Sequence, residues 1–234
     1  MAPQLTIAID GPVASGKSTL ANNLANALGY LYFDTGAMYR AVTLAALQRG
    51  VSPEDEAGLE TLAREAHIDL YPPSLDDGRQ YDVLLDGVDS TWDLRKPDVE
   101  AHVSQVSAYP GVRAALTEQQ RRIGLRGAVV MAGRDIGTVV LPEADLKLFL
   151  TASQETRAQR RFEELQARGD TTTYHEVLEA LRQRDEFDTH RTVAPLRPAD
   201  DAVILNSDGM EAEEVLARAL EITRQRQAQL SVGP

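Results

Sequence analysis

Cysteine is absent from this 234-residue chain, which excludes disulfide bonds and thiolate metal sites. Long apolar runs are absent too: no segment approaches the length of a membrane span, and the first residues lack the apolar core of a signal peptide. We therefore expect no membrane partner and a cytoplasmic location.

Positive charge is also scarce, with 24 lysines and arginines against 36 aspartates and glutamates, a formal net charge of −12. So acidic a surface argues against a general binder of nucleic acids or anionic membranes. Any phosphate ligand then needs locally concentrated arginine. With 43% hydrophobic residues, the chain can form a substantial core in one main domain.

One motif carries the strongest signal. Residues 11–18 read GPVASGKS and fit G-x-x-x-x-G-K-[ST], after an apolar run at Leu5–Ile9 that predicts a strand and before a helix that ends at Gly29. In that context backbone N–H groups and the helix N-terminus hold a phosphate, Lys17 reaches the terminal phosphates, and Ser18 ligates Mg²⁺. The predicted ATP-binding residues are Gly11, Pro12, Val13, Ala14, Ser15, Gly16, Lys17, Ser18 and Thr19.

Lysine is rare elsewhere, with three in the chain, and none lies in the [NT]-K-x-D motif by which GTPases read guanine. Apolar runs that alternate with helical segments predict an α/β fold, a doubly wound parallel sheet with helices on both faces. Its five predicted strands are Leu5–Ile9, Leu31–Phe33, Ala128–Ala132, Leu146–Leu150 and Ala202–Leu205, the last one buried. The segment from Ile68 to Trp92 predicts a small antiparallel insertion, and Pro97 to Gln120 a return to helix.

Two helices carry spaced arginines. Arg157, Arg160 and Arg161 share a face of the helix predicted from Gln154 to Arg168. They indicate either a lid that brings arginine to a transferring phosphoryl group or a solvated, salt-bridged surface. Arg184, Asp188 and Arg191 line a stripe of the next helix, which begins with a Thr173–Glu176 capping box. They form either an intrahelical ion pair or part of a site.

Two charged segments follow predicted strands. Gly133 to Val140 (GRDIGTVV) follows Ala128–Ala132, and Asp34 to Arg40 (DTGAMYR) follows Leu31–Phe33. Ligands of open α/β sheets bind beyond the carboxyl ends of strands, so both segments are site candidates. Ser104 and Arg113, nine residues apart, do not by themselves indicate a site.

Taken in order, these segments closely resemble the bacterial cytidylate kinases, from Thr6 to the C-terminal helix. The P-loop is generic, whereas GRDIGTVV and the R-D-x-x-D…R…APL pattern from Arg184 to Leu196 are specific. The resemblance implies a P-loop NTPase fold with a five-stranded sheet, an enlarged NMP-binding domain with the antiparallel insertion, and a short helical LID. The implied segments are a CORE (1–34, 127–153, 192–234), an NMP-binding domain (35–126) and a LID with flanking helices (154–191).

The resemblance also implies roles. Thr35, Arg40, Arg134 and Arg184 hold the acceptor phosphate. Ser104, Arg113, Asp135 and Arg191 read the base, and Asp188 reads the sugar. The catalytic set is Lys17, Arg134, Arg157, Arg161 and Arg184, with Mg²⁺ entering as MgATP. The reaction is ATP + CMP → ADP + CDP, with dCMP as a second substrate, in a monomer.

The sequence departs from the family pattern at two positions. Thr35 replaces a frequent serine and keeps the hydroxyl. Ala132 stands where an acidic residue is usual, which puts in doubt an acidic role near magnesium; whether Asp10 or Asp34 compensates stays open. Two other functions also stay open. One is a related kinase that acts on UMP, AMP or shikimate, although the absence of an R-G-x-G-R pattern argues against shikimate. The other is a regulatory module that binds nucleotide without transferring phosphate.

Overall fold

The computed structural model describes residues 3–71 and 73–231. None of the helices in these residues is long and apolar enough to span a bilayer. The strands are β1 (Thr6–Asp10), β2 (Leu31–Asp34), β3 (Ile68–Tyr71), β4 (Asp82–Leu85), β5 (Val88–Asp89), β6 (Val129–Gly133), β7 (Leu146–Thr151) and β8 (Val203–Asn206). The α-helices are α1 (Lys17–Leu28), α2 (Thr35–Arg49), α3 (Glu56–Glu65), α4 (Pro97–Val106), α5 (Pro110–Gly124), α6 (Gln154–Ala167), α7 (Tyr174–His190) and α8 (Ala212–Ser231).

The chain divides into two compact units, one of residues 1–32 with 124–234 and one of residues 33–123. The second unit is therefore an insertion into the first. The finer division into CORE, NMP-binding and LID segments stays a prediction.

A five-stranded sheet in the order β2–β6–β1–β7–β8 confirms the predicted doubly wound α/β fold. β1 pairs in parallel with β6 and β7, with Asp10 opposite Gly133 and Phe149. Apolar side chains of β1, β6 and β7 pack with α1 and α8 in a core that includes Leu5, Leu24 and Leu148. Because parallel strands end at one edge, this register places Asp10 beside the segment that begins at Gly133.

The last strand differs from the prediction of a buried strand. Of its four residues, only Leu205 is buried, and Ile204 is 61% exposed. β8 ends the strand order with β7 as its sole neighbour in the sheet, so its apolar run lies at an edge.

The helices that carry the spaced arginines begin at the predicted residues. Ser153 accepts the N–H of Thr156 at the start of α6, and Thr173 and Glu176 form the predicted capping box of α7. Asp208, which follows β8, accepts the Ser153 N–H and hydroxyl. The N-terminus of α6 is thus held by a residue that lies 55 positions further along the chain.

The second unit contains the predicted antiparallel insertion as a three-stranded sheet in the order β3–β4–β5. The buried Arg79 guanidinium binds Asp77, Asp82 and Asp89, each at 2.8 Å. The predicted return to helix from Pro97 to Gln120 is confirmed and consists of two helices, α4 and α5. Pro110 lacks an N–H and begins a new helix, the position at which proline is tolerated.

Candidate active site

The phosphate-binding loop follows β1 and leads into α1. A Cβ on Gly11 would overlap the carbonyl oxygen of Leu150, so a side chain is excluded there. Gly16 is the N-cap of α1 in the left-handed region, without a side-chain cap, so no capping side chain competes with an anion for the first-turn N–H groups. Lys17 is 8% exposed, and its ammonium donates to the Pro12 carbonyl at 3.0 Å, inside the loop.

A tight turn follows β6. Asp135 precedes a single π-helical turn, Ile136–Val140, and its own side chain does not cap that turn. Asp10 supplies the missing acceptors: its two carboxylate oxygens accept the N–H groups of Ile136 at 2.7 Å and Gly137 at 2.8 Å. Burial raises the pKa of Asp10 to about 6, although these two N–H groups oppose the rise.

Arg134 joins this turn to α7. Its Nε donates to Asp188 Oδ2 at 3.0 Å, and the Arg184 Nε lies 3.8 Å from the same oxygen. The Asp188 side chain is 2% exposed. Burial alone would raise its pKa, but the guanidinium groups of Arg134 and Arg184 outweigh burial and hold the pKa below its usual value. Asp188 is therefore an ionised carboxylate within a basic cluster.

Arg191 extends the cluster beyond the end of α7. Its side chain is 4% exposed, and Nη2 lies 3.9 Å from Asp135 Oδ1. Its Nε donates to the Ala194 carbonyl at 2.7 Å. Ala194 has φ +50°, a left-handed conformation that is strained for alanine. The Leu196 N–H donates to the Asp188 carbonyl and closes this turn.

The three arginines of α6 bind three different partners. Arg157 makes a two-point pair with Asp185 at 2.6 and 3.1 Å and donates to the carbonyls of Ala152 and Val13. Arg160 donates to the Ser207 hydroxyl and carbonyl and to the Met210 carbonyl. Arg161 pairs with Glu164 on the helix surface. Arg157 contacts the phosphate loop, whereas Arg160 fastens α6 to the segment after β8.

In the second unit, α2 begins directly after β2. Asp34 caps α2 by accepting the Gly36 N–H at 2.9 Å, and its other oxygen accepts the Tyr81 hydroxyl at 3.0 Å. Thr35 is 3% exposed in the first turn. Arg40, one turn further on, donates to Glu100 at 3.0 Å. Burial would lower the pKa of Arg40, but Glu100 and Asp34 raise it, so the guanidinium is a fixed cation.

Arg113 of α5 is 4% exposed and lies over the Tyr39 ring, 5.4 Å from its centroid. Its Nη1 donates to the Ser107 carbonyl at 2.9 Å. The Ser104 carbonyl accepts the Ser107 hydroxyl. The two predicted base-reading residues, Ser104 and Arg113, therefore both bind Ser107, which lies between α4 and α5. The Arg113 cation is thus buried and held between an aromatic ring and a backbone carbonyl.

Comparison with known proteins identifies the family to which these clusters belong. The sequence model of a family described as cytidylate kinase matches residues 7–225. The chain belongs to the cytidylate kinase family. Its relatives include the cytidylate kinase of Chloroflexus aggregans, 52% identical over 92% of both chains, and that of Herpetosiphon aurantiacus, 53% identical over the same shares. In fold it is similar to an uncharacterized protein from Eubacterium ventriosum, with 11% identity and a TM-score of 0.50 over 95% of this chain and 99% of that chain.

In this member of the cytidylate kinase family, the first unit brings together Arg134, Asp135, Arg184, Asp188 and Arg191. The second unit places Thr35, Arg40, Ser104 and Arg113 on α2, α4 and the start of α5. The arginines of α6 bind separate partners, and their role at a transferring phosphoryl group stays a prediction. No group of three or more His, Asp or Glu residues that could hold a metal occurs in residues 3–71 and 73–231.

Sequence reasoning missed the partners that fix these side chains. Asp185 holds Arg157, Glu100 holds Arg40, and Tyr81 binds Asp34. Asp185 had one available signal, its place next to Arg184 in the R-D-x-x-D pattern. Ala132 is buried in β6, and both carboxylates considered as its substitutes, Asp10 and Asp34, accept protein donors with each oxygen.

Proposed function

We propose that this protein transfers the γ-phosphoryl group of ATP to CMP, giving ADP and CDP, and accepts dCMP as a second substrate. The observation that carries the proposal is the cluster of Arg134, Asp135, Arg184, Asp188 and Arg191 at strand and helix ends of the same unit that holds the phosphate loop. A phosphate-binding loop alone fits many nucleotide-binding proteins. Buried arginine–aspartate pairs beside it suit recognition of a second, specific ligand.

At the donor end, residues 11–19 cradle the phosphates of ATP, with Lys17 at the terminal phosphates. Arg157 and Arg161 stabilise charge on the transferring group in this proposal. The two start from different positions, because Arg157 is held by Asp185 and by the Val13 carbonyl, whereas Arg161 pairs with Glu164 near solvent. Arg161 therefore needs to break fewer contacts to reach a phosphate.

Mg²⁺ fits the donor end as a companion of ATP. Ser18 lies half-buried in the first turn of α1, where its hydroxyl oxygen is a suitable hard ligand. Mg²⁺ in such sites is held mainly by substrate phosphates with one or two protein oxygens, which agrees with a site that lacks a carboxylate cage. When bound, the ion neutralises charge on the phosphates.

At the acceptor end, the base chemistry favours cytosine. Its edge offers acceptors at O2 and N3 and a donor at N4, which suit arginine and aspartate in turn. We assign Arg191, Asp135, Arg113 and Ser104 to the base, and Asp188 to the sugar. Uracil reverses the pattern at N3 and C4 and would leave buried charged groups mispaired, which disfavours UMP strongly.

The acceptor phosphate is assigned to Arg134, Arg184, Arg40 and Thr35. One of its oxygens attacks the γ-phosphorus in line, the bond to the β,γ-bridging oxygen breaks, and ADP leaves with that oxygen. The acceptor phosphate is already a nucleophile near neutral pH, so no general base is assigned. The protein contributes positioning and charge stabilisation.

A panel assay tests the proposal. ADP release is measured with CMP, dCMP, UMP, AMP and shikimate as acceptors, and Lys17→Ala is the matched control. We expect turnover with CMP and dCMP and a loss of about 10³-fold in Lys17→Ala without loss of folding. Preference for UMP, AMP or shikimate would reassign the acceptor, and ATP binding without turnover of any acceptor would favour a regulatory module.

We also infer a cytoplasmic monomer that binds no nucleic acid. The support is the net charge of −12, which disfavours phosphate-rich polymers. Sedimentation velocity at micromolar concentration is expected to give the mass of one chain, and a concentration-dependent increase in mass would contradict this.

A further inference from the structure

Asp10 is the last residue of β1 and directly precedes Gly11, the first residue of the phosphate loop. It is 4% exposed, and both carboxylate oxygens accept N–H groups of the turn that follows β6. The two residues it binds are Ile136 and Gly137, which lie 126 and 127 positions away in sequence. One side chain thus joins the donor loop to the Arg134–Asp135 segment.

The bonds to Asp10 satisfy N–H groups that the turn itself cannot satisfy. The first N–H groups of any helical turn lack internal acceptors, and Asp135, in the N-cap position, does not supply one. Inside the turn, the Asp135 carbonyl accepts the N–H groups of Val139 and Val140, and the Ile136 carbonyl accepts that of Leu141. The turn is therefore closed at its C-terminal end by itself and at its N-terminal end by Asp10.

The contact is also tight from the opposite side. A Cβ built on Gly137 would lie 3.1 Å from Lys147 Cδ and 3.4 Å from Asp10 Oδ2. The Lys147 ammonium is fixed by Asp201 at 2.8 Å. The Gly137 backbone is thus enclosed between Asp10 and the Lys147 side chain.

We propose that Asp10 is a positioning residue whose carboxylate fixes the Ile136–Gly137 backbone and thereby the direction in which Arg134 and Asp135 leave β6. The proposal deepens the proposed function and rests on it, because Arg134 and Asp135 are assigned to CMP. Both Asp10 oxygens are occupied by backbone N–H groups, so no nucleotide contact is assigned to them. It acts through the turn, and its effect falls on the acceptor rather than on ATP.

Asp10→Asn is the sharpest test, because it keeps the volume and replaces one acceptor oxygen by an NH₂ group that faces a backbone N–H. We expect the KM for CMP to rise about tenfold while the KM for ATP stays within about twofold. A tenfold change corresponds to about 1.4 kcal/mol, which is the typical net contribution of one hydrogen bond. Equal shifts in both KM values, or no shift in either, would overturn the proposal.

The matched control is Asp145→Asn, because Asp145 precedes β7 and binds the first residue of β1, at the end opposite Asp10. Asp145 Oδ2 accepts the Thr6 N–H at 2.7 Å, so this variant loses the same type of bond to β1 without touching the turn after β6. We expect a modest loss of stability and unchanged KM values. A CMP-specific defect in Asp145→Asn would show that any weakening of β1 suffices, which contradicts a special role for Asp10.

A double-mutant cycle with Arg134→Ala separates positioning from an independent effect. If Asp10 acts through the turn, Asp10→Asn adds little to the loss of kcat/KM for CMP already caused by Arg134→Ala. Full additivity would overturn the proposal. Gly137→Ala, which perturbs the same contact from the side of the turn, is expected to give the same CMP-specific pattern and replaces Asp10→Asn if that variant does not fold.

One readout is independent of the reaction. Amide hydrogen exchange at Ile136 and Gly137 is expected to accelerate in Asp10→Asn and not in Asp145→Asn. Unchanged exchange contradicts the positioning contact itself. A wild-type protein that fails to phosphorylate CMP while these amides respond would remove the proposed function and leave the contact established.

Discussion

Charged residues spaced three and four apart lie on α6 and at the C-terminal end of α7, yet the two sets have different surroundings. On α6, Arg157, Arg160 and Arg161 each bond to acceptors on a different part of the chain. On α7, Arg184 lies 3.8 Å from Asp188, which also binds Arg134; just past the end of α7, Arg191 lies 3.9 Å from Asp135. Helical spacing thus predicts a shared face but not a shared partner, and the buried carboxylates distinguish the candidate site.

The largest expected effect concerns Arg191. In Arg191→Ala, kcat/KM for CMP should fall about 10³-fold, because a buried aspartate loses its cation and the base loses a donor, while ATP affinity stays nearly unchanged. Steady-state kinetics with each substrate varied measures the split. Arg168→Ala, which removes an exposed pair with Glu164 at the end of α6, is the control and should leave both values unchanged. Equal loss for ATP and CMP would remove the base-reading assignment.

The next prediction separates two arginines of α6. Arg157→Ala should destabilise the fold by about 3 kcal/mol, since it breaks a buried pair and leaves Asp185 uncompensated. Arg161→Ala should cost less than about 1 kcal/mol, because its pair with Glu164 is partly exposed. Urea unfolding measures both values, and kcat at low temperature reports catalysis. Equal destabilisation would mean that the difference in their surroundings has no energetic weight.

A smaller effect is expected at the helix starts. Thr173→Ala removes half of a local capping box and should cost about 1 kcal/mol. Ser153→Ala should cost a similar amount, but it also removes a hydroxyl donor to Asp208, so its effect should depend on that aspartate. A double-mutant cycle with Asp208→Ala checks this: coupling is expected for Ser153 and none for Thr173.

The smallest effect expected near neutral pH is on folding stability, where two buried aspartates should differ in their pH dependence. Asp188, beside Arg134, Arg184 and Arg191, has a lowered pKa, so its stabilising contribution is present above about pH 4 and is lost as pH falls below that value. Asp10, facing Asp135 and Lys17, has a pKa raised from 3.8 to about 6, so its ionisation opposes folding as pH rises through that range.

Urea unfolding of Asp188→Asn and Asp10→Asn between pH 3 and pH 7 measures this contrast. The free-energy difference from wild type should grow with pH for Asp188→Asn and shrink with pH for Asp10→Asn. If both differences changed with pH in the same direction, the arginine cluster would not control the ionisation of Asp188.

The sequence predicted what local patterns encode. The strand–loop–helix order around Lys17, the Thr173–Glu176 capping box and the GRDIGTVV turn after β6 each depend on neighbours within a few residues. The contacts of Asp10 with Ile136 and of Arg157 with Asp185 depend on strand order and helix pairing, which spacing alone does not specify. One local prediction was wrong for the same reason: the position of β8 at the sheet edge exposes Ile204.

The insertion of residues 33–123 has a consequence for synthesis of the chain. β1 leaves the ribosome first, but its neighbours β6 and β7 follow about 120 and 140 residues later. At about 5–20 residues per second, the delay is on the order of 10 s. The inserted unit, whose strands pair with one another, can complete its fold during this time. The apolar run of β1 meanwhile has no sheet to join and is available to chaperones.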